Sequence, residues 1–213
     1  MNATVRDVMT TKVITVSRDA DFKHIAHVLR KFRVSACPVV NDGGVVVGVV
    51  SEADLLTKAA DPDLPVGFTR LRWKLGEESK VTAVTADRLM TSPAVSVSPD
   101  APVVVAARVM QDRCLKRLPV VDESNHLVGI ISRADVLSVY ERPDPDIRAE
   151  VKETIATEFS LDADDIEVTV VAGVVTLAGP VDQEKTELEL MARIRHIDGV
   201  VAVRDRLVRG ERA

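Results

Sequence analysis

The sequence predicts a mixed α/β (α+β) chain: a pseudo-two-fold pair of β-α-β-β-α units, followed by a small α-β-β-α-β domain. Three observations predict it. The phrase "GVVSEAD" at 48–54 returns as "GIISRAD" at 129–135. A shift of 81 residues aligns 5–56 with 86–137 without a gap and with 17 identities in 52 positions. That is far beyond chance, so duplication governs how every motif is read. Charge then marks a boundary: 1–144 holds 19 Lys+Arg against 18 Asp+Glu, whereas 145–213 holds 9 against 15, a net of −6. The change falls at "ERPDPD" (141–146), whose prolines stop a helix. The expected division is unit one at 1–60, an inter-repeat segment at 61–83, unit two at 84–141 and a last domain at 145–213.

The two copies read alike, element by element. A short β-branched run comes first, "VITV" at 13–16 and "AVSV" at 94–97. Ser17 or Ser98 and a following acid form a helix-start signal, and Pro99 suits a first turn. The helix then carries Phe22, Ile25, Ala26, Leu29 and Phe32 at helical spacing, matched by Val103, Ala106, Ala107 and Met110. Two strands follow, "CPVV" and "VVVGVV" around "NDGG", or "LPVV" and "LVGII" around "DESN". A last helix starts at Ser51 or Ser132. The strands are apolar on both faces and so belong inside. One unit of about 55 residues is marginal alone, whereas two share a core.

After "RPDPD", Ile147, Val151, Ile155 and Phe159 recur every four positions and predict an amphipathic helix. In "DIEVTVVAGVVTLAGPV", Ile166, Val168 and Val170 alternate, with a turn at Ala172-Gly173 and an end at Gly179-Pro180. A second helix through "DQEKTELELMARIRHI" and a strand in "GVVAVRDRLV" close the domain.

Composition narrows the function classes. Apolar residues make up 46% and aromatics only 3%, so Val, Leu, Ile and Ala build the core. No apolar run approaches the roughly 20 residues of a membrane span, and the first residues lack a signal pattern, so a cytoplasmic location is expected. Cys37 and Cys114 stand singly, which predicts neither a disulfide scaffold nor a zinc site. There is no P-loop, Ser/His/Asp order, metal set or Gly-rich dinucleotide fingerprint, and neither cysteine has a base beside it; no enzyme activity is expected. His24 and His27 lie a helical turn apart near Asp21, but copy two has Pro102, Val105 and Arg108 there, which favours a solvated face. In the inter-repeat segment, Arg70, Arg72 and Lys74 alternate with Leu71, Trp73 and Leu75. This reads either as a cationic lid or as a loop pinned by Trp73. Three cations without a wider basic field give little phosphate affinity, so no nucleic acid is expected.

The repeated phrase itself has two compatible readings. Ser51-x-x-Asp54 is a helix cap in which the serine sits at the N-cap and the acid faces the positive helix end. Gly48 and Gly129 then permit close strand packing. The same atoms also suit a ligand: free N–H groups of a helix start attract phosphate, and a carboxylate accepts two ribose hydroxyl protons.

Two tandem units with "PVV" before a hairpin and a G-h-h-S-x-x-D phrase opening the last helix resemble a pair of cystathionine-β-synthase (CBS) domains. The resemblance covers about 1–140. It implies one module that homodimerises and binds adenosine-containing ligands, AMP, ADP or ATP, in clefts between the units. Asp54 and Asp135 would hold ribose, and Ser51 and Ser132 ribose or phosphate. The backbone at Cys37 and Leu118, just before Pro38 and Pro119, would read the adenine edge. Val13, Ile14, Ala94 and Val95 would line the ring. Arg133, Lys116 and Arg117 in copy two attract phosphate, while Glu52 in copy one repels it. The tighter nucleotide site is therefore expected at Ser132 and Asp135.

The α-β-β-α-β order with "AGVVTLAGPV" and "IDGVVAVRDRLV" resembles the BON domain of bacterial osmotic-stress proteins, over about 145–210. That family implies attachment to phospholipid or to a partner protein. A net of −6 disfavours anionic lipid, although Arg193, Arg195, Arg204, Arg206, Arg209 and Arg212 form a local basic group. The expected function is regulation: a CBS pair senses an adenosine ligand, and the BON domain passes the state to a partner. The alternative is a ligand-free, stress-linked adaptor whose BON domain binds phospholipid or protein.

Overall fold

The computed structural model describes residues 3–60, 85–159, 161, 165–181 and 184–209. Residues 61–83, with Trp73 and both readings of that segment, lie outside the described residues, as does Arg212. In chain order the elements are α1 (Val5–Val8), β1 (Val16–Ser17), α2 (Phe22–Phe32), β2 (Ala36–Val40), β3 (Val46–Ser51), α3 (Glu52–Ala59) and α4 (Ala86–Leu89). Then come α5 (Val103–Asp112), β4 (Arg117–Val121), β5 (Leu127–Ser132), α6 (Arg133–Ser138), a 3-10 turn (Val139–Glu141) and α7 (Asp144–Glu158). β6 (Glu167–Val171), β7 (Val174–Val181), α8 (Glu184–Ile194) and β8 (Ala202–Arg209) follow. Two compact units result. One comprises 9–101 and 105–133, the other 1–8, 102–104 and 134–213.

In the first unit the duplication extends to its irregularities. β2 and β3 pair antiparallel with Cys37 opposite Val50 and Val39 opposite Gly48; β4 and β5 repeat this with Leu118 opposite Ile131 and Val120 opposite Gly129. Each ladder bulges at the same place, between Val39 and Val40 or between Val120 and Val121. The turns are built by side chains: Asn41 Oδ1 accepts the Gly43 and Val45 N–H groups, and Asp122 Oδ1 accepts those of Ser124 and His126. Buried Ile25, Val28, Leu29, Cys37, Val39 and Val50 of copy one share a core with Leu89 of copy two.

Three expectations change here. The first strand shrinks to Val16–Ser17 in copy one and to a bridge between Val97 and Val120 in copy two. The reason is that Thr10 pairs with Ile130 and Thr91 with Val49, so each N-terminal stretch adds to the other copy's hairpin before returning to its own. Asp21, not Ser17, caps α2, accepting the His24 N–H at 2.8 Å; this is the use the structure finds for the acid beside the two exposed histidines. Val28 joins the buried stripe, while Phe32 stays 45% exposed with the Lys31 ammonium 5.3 Å from its ring.

The repeated glycines are explained by the same exchange. A Cβ on Gly48 would lie 2.4 Å from Met90 Sδ, and one on Gly129 would lie 2.5 Å from Met9 Sδ. Each glycine thus admits a methionine of the opposite copy.

In the second unit, the sheet order is β6-β7-β8, antiparallel then parallel. Ile147, Val151 and Ile155 of α7 pack with Val168, Val175, Leu177, Leu190 and Ile194 in one core. Pro143 and Pro145 sit at the N-terminus of α7, so they open that helix as well as separating it from what precedes. Asp144 then accepts the N–H groups of Ala172 and Gly173 at 2.7 and 2.8 Å, holding a turn whose φ angles are +50° and +72°. Gly179-Pro180 does not end β7, which runs to Val181. Pairing with β6 stops at Ala178, so Pro180 lies where one flank of the strand has no ladder and a missing N–H is tolerated. Arg193 grips both oxygens of Glu158 at 2.8 Å and holds that carboxyl below its usual range.

Candidate functional site

Of the proposed site residues of copy one, Cys37 and Pro38 lie at the start of β2 and Ser51 and Asp54 at the junction of β3 with α3, while Val13 and Ile14 precede β1. β3 is apolar and buried at Gly48 and Val50, and it delivers Ser51 in an extended conformation to the N-cap of α3. Asp54 Oδ2 accepts both the Ser51 N–H at 2.9 Å and the Ser51 hydroxyl at 2.7 Å, and the Asp54 N–H points back at Ser51 Oγ at 3.4 Å. The capping reading is therefore realised. It leaves a hydroxyl and a carboxylate together at a helix start, half-buried, the chemistry that a ribose diol also requires.

Beside them, Ala36 opposes Ser51 and Pro38 opposes Val49 across the ladder. The Ser35 carbonyl accepts the Glu52 N–H at 3.0 Å, tying the strand start to the first helical residue. Cys37 is fully buried, and burial pushes its thiol up to about 11 despite the nearby Arg117 charge. Ile14 packs, partly buried, against the same core.

Copy two repeats the frame. Arg117 opposes Ser132, Leu118 opposes Ile131 and Pro119 opposes Ile130. Leu118 is fully buried, and Val95 is half-buried. The Lys116 carbonyl accepts the Arg133 N–H at 3.1 Å, as Ser35 does for Glu52. Ser132 ends β5, and Asp135 is the third residue of α6.

The cations divide. The exposed Arg133 turns its Nε onto the Leu115 carbonyl at 2.9 Å. Arg117 reaches the other way: its Nη2 donates to Ser35 Oγ of copy one at 2.9 Å. Among the described residues, its buried Nε has no hydrogen-bond partner. Sequence reasoning missed Ser35 because its repeat counterpart, Lys116, shows no kinship. The usable signal was that position 36 maps onto 117, so the neighbours of one are candidates to meet the other.

In the second unit, a groove of about 740 Å³ is lined by Arg142, Glu150, Glu153, Thr154, Glu158 and Arg193, among others. Both arginines are ion-paired there, so it offers no ready anion site. Among the described residues no helix is long and apolar enough to cross a membrane, and no group of three or more metal-ligating side chains occurs.

The two cysteines supply a test of the burial. At pH 7.5 iodoacetamide is expected to label exposed Cys114 readily and Cys37 only in denaturant, because the thiolate attacks and burial suppresses it. Peptide mass spectrometry reads this, and equal labelling of the native chain would contradict it. A raised thiol pKa also stabilises the fold below the unfolded value of about 9. That contribution is lost as the pH climbs toward about 11.

Comparison with known proteins follows the same lines. An uncharacterized protein of Methanocaldococcus jannaschii, MJ1426, is 32% identical over 149 residues, covering 62% of this chain and 88% of that protein. A homoserine O-acetyltransferase of Methanococcoides burtonii is 30% identical over 135 residues, covering 63% of this chain but only 24% of its own length. This chain therefore spans about a quarter of that enzyme. The crystal structure of CBSX2 in complex with AMP is 28% identical, with a TM-score of 0.52 over 63% of this chain and 93% of that one. The CBS domain model matches residues 5–61 and 86–142, and the BON domain model matches 143–210. The chain thus belongs to the CBS domain family, as a tandem pair followed by a BON domain.

Proposed function

We propose that this protein is a regulatory sensor of an adenosine-containing ligand, not a catalyst. Its CBS pair, 1–60 and 84–141, takes up AMP, ADP or ATP and works as a homodimer, and its BON domain passes the bound state to a protein partner. The observation that carries the reading is the serine–carboxylate pair at the β3–α3 junction, where Ser51 and Asp54 are held 2.7 Å apart at a helix start. The 28%-identical CBSX2 supports the ligand class, since its structure is a complex with AMP. Asp54 and Asp135 would accept the ribose hydroxyls, Ser51 and Ser132 would bond ribose or phosphate, and the backbone of Cys37 and Leu118 would meet adenine beside Ile14 and Val95. Regulation then needs a ligand that binds one arrangement of the module better than another.

Calorimetric titration with AMP, ADP and ATP tests this. At least one should bind, and Asp54→Asn together with Asp135→Asn should weaken it about tenfold or more, the cost of a lost charge-assisted bond. Removing the cap also costs roughly 1 kcal/mol of stability, so affinity is to be measured well below the melting temperature. Flat titrations with all three nucleotides would leave the second reading, a ligand-free adaptor. Exposed Val171, Val201 and Val208 in the second unit offer that reading separate apolar contacts, Val171 beside the β6–β7 turn and Val208 opposite Pro180 at the other end of β7.

A further inference from the structure

The groove beside α7 holds more acid than the fold engages. Ile147, Val151, Thr154 and Ile155 form the buried stripe of that helix. Asp146, Glu150, Glu153 and Thr157 recur beside the stripe at steps of three or four, and all four line the groove of about 740 Å³. Its carboxylates are those of Asp146, Glu150, Glu153 and Glu158, and its cations are Arg142 and Arg193. Each arginine is already held, Arg142 by Glu150 and Arg193 by Glu158. Asp146 and Glu153 have no ion pair among the described residues, so the groove carries a surplus of negative charge.

Acids on a helix surface ordinarily serve solubility, and Asp146 also suits the positive start of α7. Thr154 does not fit that account. It is only 5% exposed, it is the one buried polar side chain among the described residues, and it lines the same groove. Thr57 and Thr157 satisfy their hydroxyls on the carbonyl one turn back, at 2.9 and 2.8 Å. The Thr154 hydroxyl has no hydrogen-bond partner among the described residues. A valine would fill that place beside Val151 and Ile155 with no polar atom to satisfy. A lone hydroxyl at the inner edge of an acid-lined groove marks where a ligand's own polar atom would sit.

We infer that this groove docks a basic peptide segment of a partner protein, with lysine or arginine side chains on Asp146 and Glu153 and a backbone amide on Thr154. The assignment rests on the reading above that the BON domain meets a protein. Charge complementarity sets the sign of the occupant, since two carboxylates remain after both arginines are paired. No group of three or more metal-ligating side chains occurs among the described residues, which favours an organic cation. Asp146 to Glu158 spans about 18 Å of helix at 1.5 Å per residue, room for about five extended residues. The hydroxyl both donates and accepts, which matches a peptide bond, whereas a polyamine only donates. The same acids repel anionic lipid.

The test measures binding of a labelled peptide, GKAKAKG, to the full chain by fluorescence anisotropy, with circular dichroism to show that each variant is folded. The wild type should bind at low salt and release the peptide as salt rises. Asp146→Asn together with Glu153→Gln should weaken binding about fivefold or more, and Thr154→Val about threefold or more. Glu184→Gln with Glu187→Gln, acids of α8 outside the groove, should change it less than about twofold. Equal loss in that control, or full binding in Thr154→Val, would overturn the groove, because diffuse charge would then suffice. Spermine that competes at lower concentration than the peptide, and is itself weakened by Thr154→Val, would overturn the peptide as occupant. No peptide binding by a chain that still titrates with AMP would overturn the groove and leave the sensor reading standing. Groove binding that saturating AMP leaves unchanged would support the groove and remove the relay between the CBS pair and the BON domain.

Discussion

Replacing Gly179 by alanine is expected to destabilise the BON domain by roughly 3 kcal/mol or more, the sum of about 1–3 for backbone strain and about 1–3 for overpacking. Two independent reasons act at this residue. Its φ of +139° is a conformation that L side chains rarely adopt, and a Cβ there would lie 2.4 Å from the Asp165 carbonyl oxygen. A backbone oxygen cannot swing aside as a side-chain end does. The residue sits in β7, next to Leu207 of β8 and just past the last pair with β6, so the strain falls on the central strand. Urea unfolding followed by circular dichroism measures it. A loss under 1 kcal/mol would show that Gly179 relaxes easily and that the backbone contact is not a constraint.

The second large effect concerns the repeated glycines. Gly48→Val and Gly129→Val should each cost about 2–3 kcal/mol, the upper part of the range for forcing atoms into a packed interior. Chain crossing makes the cost specific. The blocking atoms are Met90 Sδ and Cγ with the Thr91 carbonyl for Gly48, and Met9 Sδ and Cγ with the Thr10 carbonyl for Gly129. All belong to the opposite copy. A double-mutant cycle isolates this: Met90→Ala should relieve Gly48→Ala, leaving a coupling of about 1 kcal/mol or more, within the usual range for residues in contact. Strict additivity would mean that the two copies do not exchange their N-terminal stretches.

Much of the site was legible because it is local. A serine three residues before an aspartate, after a buried strand, dictates a cap whichever protein holds it, and Ser51 and Asp54 form one. The hairpin turns at Asn41 and Asp122 and the alternation through Val168 and Val170 are local in the same sense. What misled is equally instructive. Ser17 and Asp21 both carry N-cap chemistry, and the choice fell to the residue from which the α2 backbone departs. Gly179-Pro180 has the composition of a stop, yet β8 supplies a partner that keeps the strand going.

The sequence by itself determined that a β-α-β-β-α unit was written twice, that its last helix is capped by a serine and an aspartate, and that a separate acidic domain follows. Those features depend on neighbours within a few residues or on a count along the chain. Only the tertiary structure decided that Met9 and Met90 fill the space above the opposite copy's glycine, and that Arg117 leaves its own strand to meet Ser35. Both contacts join residues about 40 to 120 positions apart, 82 in the case of Arg117 and Ser35. Such partners are chosen by how two copies pack about an axis, a choice that no local propensity encodes.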